Sequence, residues 1–83
     1  MVNDGGFPSL KATKLRQILK KELGYQRVPK SGHGSHCLLV ADGRPRILWA
    51  FHNNVTIAPG VVRNILVKQV GLSLDEARKV VGG

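Results

Sequence analysis

The first clear periodicity of hydrophobic and polar positions lies near the N-terminus. Apolar residues recur there at i, i+3, i+4 and i+8, the spacing of one buried helical stripe, and they are Leu15, Ile18, Leu19 and Leu23. Gly24 follows and predicts the helix end, because glycine readily takes the left-handed conformation found there. Thr13 is the expected N-cap, with Ser9 as an earlier alternative.

A second apolar stripe predicts another helix in the C-terminal half. Pro59 suits its first turn, and Gly71 followed by Leu72 suits its end. The stripe consists of Val61, Val62, Ile65, Leu66 and Val70. Ser73 and Glu76 then have the spacing of a capping box, which predicts a short last helix.

Three short segments between the helices favour β-structure: residues 25–28, 36–40 and 47–51. Asp42-Gly43, between the last two, is a pair that hairpin turns favour. Residues 52–57 are interpreted as a loop or a ragged strand end. Because the connections are short, we expect the three strands to form an antiparallel meander.

The order of these elements predicts an α+β fold. We expect a three-stranded antiparallel sheet with the helices packed on one face, in the order α-β-β-β-α plus a short C-terminal helix. This layout resembles the double-stranded-RNA-binding domain. Eighty-three residues allow one domain, residues 1–83, in which the Gly-rich residues 1–8 are expected to be a loose tail. A chain this short has no room for a large substrate chamber, so chemistry is expected on an open surface.

The charge balance favours a polyanionic partner. Lys and Arg number 13 against 5 Asp and Glu, which gives a net charge of +8. Phosphate polymers are attracted most strongly, because each neutralised phosphate releases counterions. Acidic protein surfaces and anionic lipid are alternatives, and a role in solubility alone is another. Lipid is the weaker idea, because the basic residues are scattered over several segments.

The cysteine content and hydropathy indicate a cytoplasmic protein. A single cysteine, Cys37, excludes an intramolecular disulfide and suits a reducing compartment. No apolar run is long enough to span a membrane, and the N-terminus lacks the regions of a secretory signal. We therefore expect cytoplasmic localisation and no membrane partner.

The candidate catalytic residues are Gly34, Ser35 and His36. Glycine lets a phosphate approach the backbone N–H groups, and Ser35 adds a hydroxyl donor. His36, at the start of a strand, is suited to exchange a proton near neutral pH. RNA supplies its own nucleophile, the ribose 2′-hydroxyl, so a base and donors suffice without metal or cofactor. The alternative is that His36 has no task.

Other chemistry-bearing residues admit two interpretations each. His33 and His52 are candidates for protonating the leaving oxygen, or are inert surface residues. A metal site formed by His33, His36 and His52 with Cys37 is not expected, because no paired Cys-x-x-Cys framework is present. Cys37 favours a buried position. Trp49 is a candidate for stacking on a base, but a tryptophan in an apolar strand more often belongs to the core.

Basic residues around the histidines are candidates for holding an RNA backbone. Arg27 and Lys30 flank the segment, and the track extends along the first helix, if that helix borders the site, through Lys11, Lys14, Lys20 and Lys21. Lys20 is expected to lie on a solvated helix face.

Three motifs in this order resemble the HicA-type toxin family of prokaryotic toxin–antitoxin systems. They are a leucine-rich helix ending in Gly24-Tyr25, then Gly34-Ser35-His36, and then a helix from Pro59-Gly60 to Gly71-Leu72-Ser73. The resemblance spans residues 13–76. It implies a double-stranded-RNA-binding-like fold, a ribosome-independent mRNA endoribonuclease with its catalytic histidine at His36, and a HicB-type antitoxin that covers the active site.

The sequence therefore predicts a metal-independent endoribonuclease toxin that cleaves mRNA. His36 is the expected acid–base group for 2′-hydroxyl attack, with Ser35 and Gly34 orienting the phosphate. The residues expected to bind RNA are Arg27, Lys30, His33, Lys11, Lys14 and His52. No cofactor is expected, and the partners are mRNA and a HicB-like antitoxin. The alternative is a non-catalytic module of the same fold that binds RNA or the antitoxin.

Overall fold

The computed structural model of the chain describes residues 6–30 and 36–82. Its elements in chain order are β1 (Leu10–Lys11), α1 (Ala12–Leu23), β2 (Gln26–Arg27), β3 (Cys37–Ala41), β4 (Arg44–Trp49), β5 (Thr56–Ile57), α2 (Pro59–Asn64), a π-helical turn (Ile65–Gln69) and α3 (Leu74–Gly82). This is the expected α+β order, and it agrees with a double-stranded-RNA-binding-like fold.

The central sheet is the predicted antiparallel meander, with strand order β2-β3-β4. Cys37 pairs with Trp49, and Leu39 pairs with both Ile47 and Arg27. A register shift between Leu39 and Ala41 precedes the turn at Asp42-Gly43. β4 begins at Arg44 and ends at Trp49, so it starts earlier and ends earlier than the predicted 47–51.

One face of the sheet is buried under the helices and the other is open. Cys37, Leu39, Ile47 and Trp49 join the core with the buried residues of α1, as alternation along a strand requires. Leu48, between two of them, is 78% exposed. The helices therefore cover one face, as the sequence predicts.

The end of α1 follows the sequence prediction. Gly24 has φ 78° and ψ 16°, the left-handed conformation. Its N–H donates to the carbonyl of Lys20 at 3.2 Å, and the N–H of Tyr25 donates to that of Leu19 at 3.0 Å. These bonds satisfy carbonyls that a helix end leaves free, and the chain reverses direction into β2.

The start of α1 differs from the prediction, and both proposed caps are wrong. The helix begins at Ala12 with Lys11 as its N-cap, and no described side chain caps it. The N–H of Ala12 instead donates to the carbonyl of Val55 at 2.8 Å. A distant backbone carbonyl thus replaces the hydroxyl expected from Thr13 or Ser9.

A small second sheet accounts for that contact. β1 pairs with β5 in antiparallel register, Leu10 with Ile57 and Lys11 with Thr56. The end of the 52–57 segment is therefore a strand. Phe7 is buried in the core, whereas residues 1–5 lie outside the described residues, where the loose tail stays a prediction.

The second helix keeps most of its predicted stripe but changes its geometry. Val62, Ile65, Leu66 and Val70 are buried, whereas Val61 is 40% exposed, because at about 100° per residue it lies at the outer edge of the arc that the other four share. From Ile65 the helix continues as a π-helical turn, in which the N–H of Val70 donates to the carbonyl of Ile65 at 2.9 Å.

The last helix has the predicted capping box. The N–H of Ser73 donates to Glu76 Oε1 at 3.1 Å, and the N–H of Glu76 donates to Ser73 Oγ at 3.1 Å. Hydrogen bonding to the Glu76 carboxyl, first from the Ser73 backbone N–H and then from the Ser73 side chain, lowers the pKa of that carboxyl. No helix in residues 6–30 and 36–82 has the length and apolar character that a membrane crossing requires.

The left-handed turn at Gly24 predicts the effect of its replacement. Nothing lies within 4 Å of a Cβ built there, so Gly24→Ala adds backbone strain without a clash. We expect the free energy of unfolding to fall by about 1–2 kcal/mol, the cost of the left-handed conformation for an L-residue. Denaturant titration followed by the fluorescence of the single, buried Trp49 measures it.

Gly82→Ala is the matched control, because Gly82 is helical and also has open space around its Cβ position. We expect it to leave the stability unchanged or slightly higher. Equal stabilities for the two alanine variants would contradict the structural role of Gly24.

Candidate functional site

His36 lies at the entrance to the central strand. It is exposed and directly precedes Cys37, the buried first residue of β3. The N–H of Val28 donates to the carbonyl of Leu38 at 2.9 Å, which continues the β2–β3 ladder one residue beyond Arg27. By this register, Lys30 and His36 occupy opposite ends of the connection between the two strands. Lys30 is exposed and has φ 61°, an uncommon value for a side-chain-bearing residue.

Three of the predicted site residues are not placed. His33, Gly34 and Ser35 lie in residues 31–35, outside the described residues. Their roles stay predictions, and the chemistry of the described site is argued from His36 and its surroundings.

Strand pairing brings other candidates to the same end of the sheet as His36. Because β3 starts where β4 ends, with Cys37 opposite Trp49, the segment after Trp49 lies near the entrance to β3. His52 is exposed in this segment, and its carbonyl accepts a hydrogen bond from the N–H of Val55 at 3.2 Å. Lys11 reaches the same turn, where its Nζ donates to the carbonyl of Asn54 at 3.3 Å.

Lys14 lies apart from this group. It lines a hollow of about 220 Å³ on the side of α1 that faces α3, together with Lys21 and Val80. Of the predicted RNA-binding residues that the structure describes, Lys30 lies opposite His36 by strand register, and Lys11 and His52 lie towards the same end of the sheet. Lys14 faces elsewhere, and Arg27 lies in a groove.

This groove, of about 550 Å³, separates α1 from β2. It is lined by Thr13, Arg16, Gln17, Lys20, Tyr25, Gln26, Arg27, Leu39 and Asn53. Three of these side chains carry positive charge, and no described carboxylate lines the groove. We call these residues the α1–β2 groove.

The sequence positions of the groove residues explain how it forms. Thr13, Arg16, Gln17 and Lys20 recur at i, i+3, i+4 and i+7, so they share one helix face beside the buried stripe. After Gly24 reverses the chain, residues 25–27 return along the helix and form the opposite wall. Lys20 is exposed, as predicted, but the groove that it lines was not predicted, although the spacing of these four polar residues indicates a shared helix face.

The cations of the groove have no ion-pair partner in the part of the chain that the structure describes. In residues 6–30 and 36–82, no carboxylate forms an ion pair with Arg16, Lys20 or Arg27. Arg27 pairs with Leu39 and so points to the buried side of the sheet, yet it is exposed because β2 is an edge strand. The groove thus presents positive charge to an incoming ligand without internal competition.

Tyr25 ties this wall to the far side of the sheet. Its ring is buried, and its hydroxyl donates to the carbonyl of Pro45 at 2.6 Å. Burial raises the pKa of the Tyr25 phenol, and the nearby Arg44 charge opposes this only in part.

Two other candidates belong to the core. Trp49 is 2% exposed and packs edge-on against Phe51, with ring centroids 5.2 Å apart, so it has no face for a base. Its Nε1 has no hydrogen-bond acceptor among the described residues. Cys37 is buried, as predicted. The described part of the chain contains no cluster of three His, Cys, Asp or Glu residues that could hold a metal.

Comparison with protein families gives one informative match. Residues 12–72 of the 83-residue chain match the model described as HicA toxin of bacterial toxin–antitoxin. The matched segment runs from the start of α1 to Leu72 and includes His36 and every residue of the α1–β2 groove. Neither the curated proteins nor the solved structures contain a match.

The Tyr25 phenol predicts a specific response to alkaline pH. Its folded-state pKa is raised, so the stability it contributes is complete below the unfolded pKa of about 10 and is lost as pH rises through the folded value. Below about pH 10 we expect Tyr25→Phe to be less stable by about 0.5–1.5 kcal/mol, because the hydrogen bond to Pro45 is lost. The difference in free energy of unfolding between the wild type and Tyr25→Phe should decrease as the phenol ionises.

Denaturant titrations of the wild type and Tyr25→Phe across this pH range measure the difference in their free energies of unfolding. Tyr25 is the only tyrosine, so the variant is its own control for every other titrating group. A difference that stays constant, or widens, above the phenol pKa would contradict the assignment.

Proposed function

Because this chain belongs to the HicA toxin family of bacterial toxin–antitoxin systems, we propose that it is an endoribonuclease that cleaves mRNA. Family membership makes it a toxin with a cognate antitoxin as partner. The finer assignments, to mRNA as substrate, to His36 as the acid–base group and to a HicB-like antitoxin that covers His36, are proposals. We also propose that it acts in the cytoplasm, where its substrate is found.

One observation carries the catalytic proposal. An exposed histidine, His36, stands at the entrance to a strand of the sheet, opposite the exposed Lys30 and at the same end as Lys11 and His52. The rigid strand fixes the backbone beside the imidazole, and the cations attract a phosphate. This arrangement suits a substrate that brings both its charge and its nucleophile.

The proposed reaction requires two proton transfers. A nitrogen of His36 takes the proton of a ribose 2′-hydroxyl, and that oxygen attacks the adjacent phosphorus. The P–O5′ bond breaks, and the leaving 5′-oxygen takes up a proton, which gives a 2′,3′-cyclic phosphate and a free 5′-hydroxyl. His33 and His52 are the candidates for the second transfer, and His52 lies at the same sheet end as His36.

Electrostatic stabilisation completes the mechanism. The phosphorane carries more negative charge than the ground-state phosphate, so Lys30 and Lys11 favour it over the bound substrate. Ser35 and the backbone of Gly34 are proposed to orient the scissile phosphate, and no metal or cofactor takes part in this scheme.

A non-catalytic module of the same fold is the alternative, and one observation favours it. The open face of the sheet exposes Leu48 and, in part, Val40, an apolar surface that suits a protein partner better than RNA. In that case the chain would bind RNA or its antitoxin without cutting. Substitution at His36 separates the two functions.

We expect His36→Ala to lower the rate of RNA cleavage by about 10²–10⁴-fold, the usual worth of a general acid–base group. Because His36 is exposed, the variant should fold as stably as the wild type. The measurement is cleavage of a long mRNA by purified protein, with the ends mapped by primer extension.

His52→Ala is the companion variant, since it removes an exposed imidazole at the same sheet end, one of the two candidates for the second proton transfer. We expect it to keep more activity than His36→Ala. Cleavage by His36→Ala at the wild-type rate would reject the catalytic role of His36, and RNA binding without cleavage by the wild type would establish the binding module.

A further inference from the structure

We propose that the α1–β2 groove binds a single-stranded stretch of the RNA next to the scissile phosphate, an inference that rests on the proposed ribonuclease function. The cations Arg16, Lys20 and Arg27 hold its phosphates. The uncharged polar side chains of the same groove contact its bases. The groove is thus the subsite that positions the substrate strand and selects its sequence.

The charge of the groove supports a polyanion as its ligand. Two cations come from one face of α1 and the third from β2, so they face the same space from opposite walls. No described carboxylate lines that space or pairs with them. A cleft that gathers unpaired cations without an internal counterion concentrates phosphate more strongly than the same charges spread over a surface.

The dimensions and lining favour an unpaired strand over a duplex. A volume of about 550 Å³ lies within the range of small-molecule sites and suits one or two nucleotides. Its other polar groups are the amides of Gln17, Gln26 and Asn53 and the hydroxyl of Thr13. Amides offer both donors and acceptors and read the exposed edges of unstacked bases, which a duplex does not present.

The position of the groove connects it to His36. Its wall residue Asn53 directly follows His52, at the sheet end where β3 begins. Its other wall, β2, leads through Arg27 towards Lys30, the residue opposite His36 across the connection. A strand lying in the groove therefore extends to the end of the sheet that carries the proposed catalytic imidazole.

The test measures binding apart from cleavage. In the full chain carrying His36→Ala, the double variant Arg16→Gln/Lys20→Gln is titrated with a fluorescent single-stranded RNA oligonucleotide at several salt concentrations. We expect affinity to fall at least about tenfold and the slope of log K against log salt to become shallower by about 1.4, because each phosphate contact to a single strand contributes about 0.7.

Lys21→Gln/Lys79→Gln is the matched control. It removes the same net charge from exposed helix positions outside the groove, so we expect only a small loss of affinity and little change of slope. Thermal unfolding followed by Trp49 fluorescence verifies that all the proteins are folded.

Each alternative result has a distinct meaning. Equal weakening by the two double variants would overturn the groove assignment and leave the ribonuclease proposal intact. Tighter binding of duplex RNA that depends on Arg16 and Lys20 would also overturn it, as would loss of antitoxin binding with RNA affinity unchanged. No RNA binding or cleavage by the otherwise wild-type chain would instead reject the proposed function itself.

Discussion

The left-handed turn at Gly24 is the constraint on which the rest of the structure depends. Two backbone hydrogen bonds at this turn end α1 and send the chain back beside the helix as β2. The same reversal forms the second wall of the α1–β2 groove and begins the strand pair that ends in Lys30 and His36. An L-side chain resists this conformation, so one glycine couples the helix end to the placement of the proposed site.

The two sides of the sheet have separate tasks. The buried side packs its residues with the helices, and the hydrogen bond from Tyr25 to Pro45 connects the groove wall to the start of β4. The proposed functional groups lie at one end of the sheet and along one flank of α1, and within residues 6–30 and 36–82 no carboxylate pairs with the groove cations. A chain of 83 residues forms a core too small to enclose a large pocket. A substrate that carries its own nucleophile does not require an enclosed pocket.

Local signals in the sequence predicted much of this fold. The apolar stripe of α1, the glycine after it and the Ser73–Glu76 box each depend on neighbours within a few residues, and the structure confirms all three. The N-cap of α1 could not be predicted, because its donor is satisfied by the carbonyl of Val55, more than forty residues away. The β1–β5 pair and the π-helical turn likewise depend on packing across the chain. The place of His36 at the start of a strand could be predicted from the local pattern. The α1–β2 groove could not, because it forms only when β2 lies against α1.

In the proposed mechanism, a histidine of this small basic fold lets a ribose hydroxyl cleave its own RNA chain. The most direct measurement compares a cleavable RNA with the same sequence carrying 2′-O-methyl riboses throughout, using the purified wild-type chain in excess chelator. We expect cleavage of the first RNA to fragments ending in a 2′,3′-cyclic phosphate, and binding of the second RNA without cleavage. Cleavage of the methylated strand would contradict the proposed mechanism.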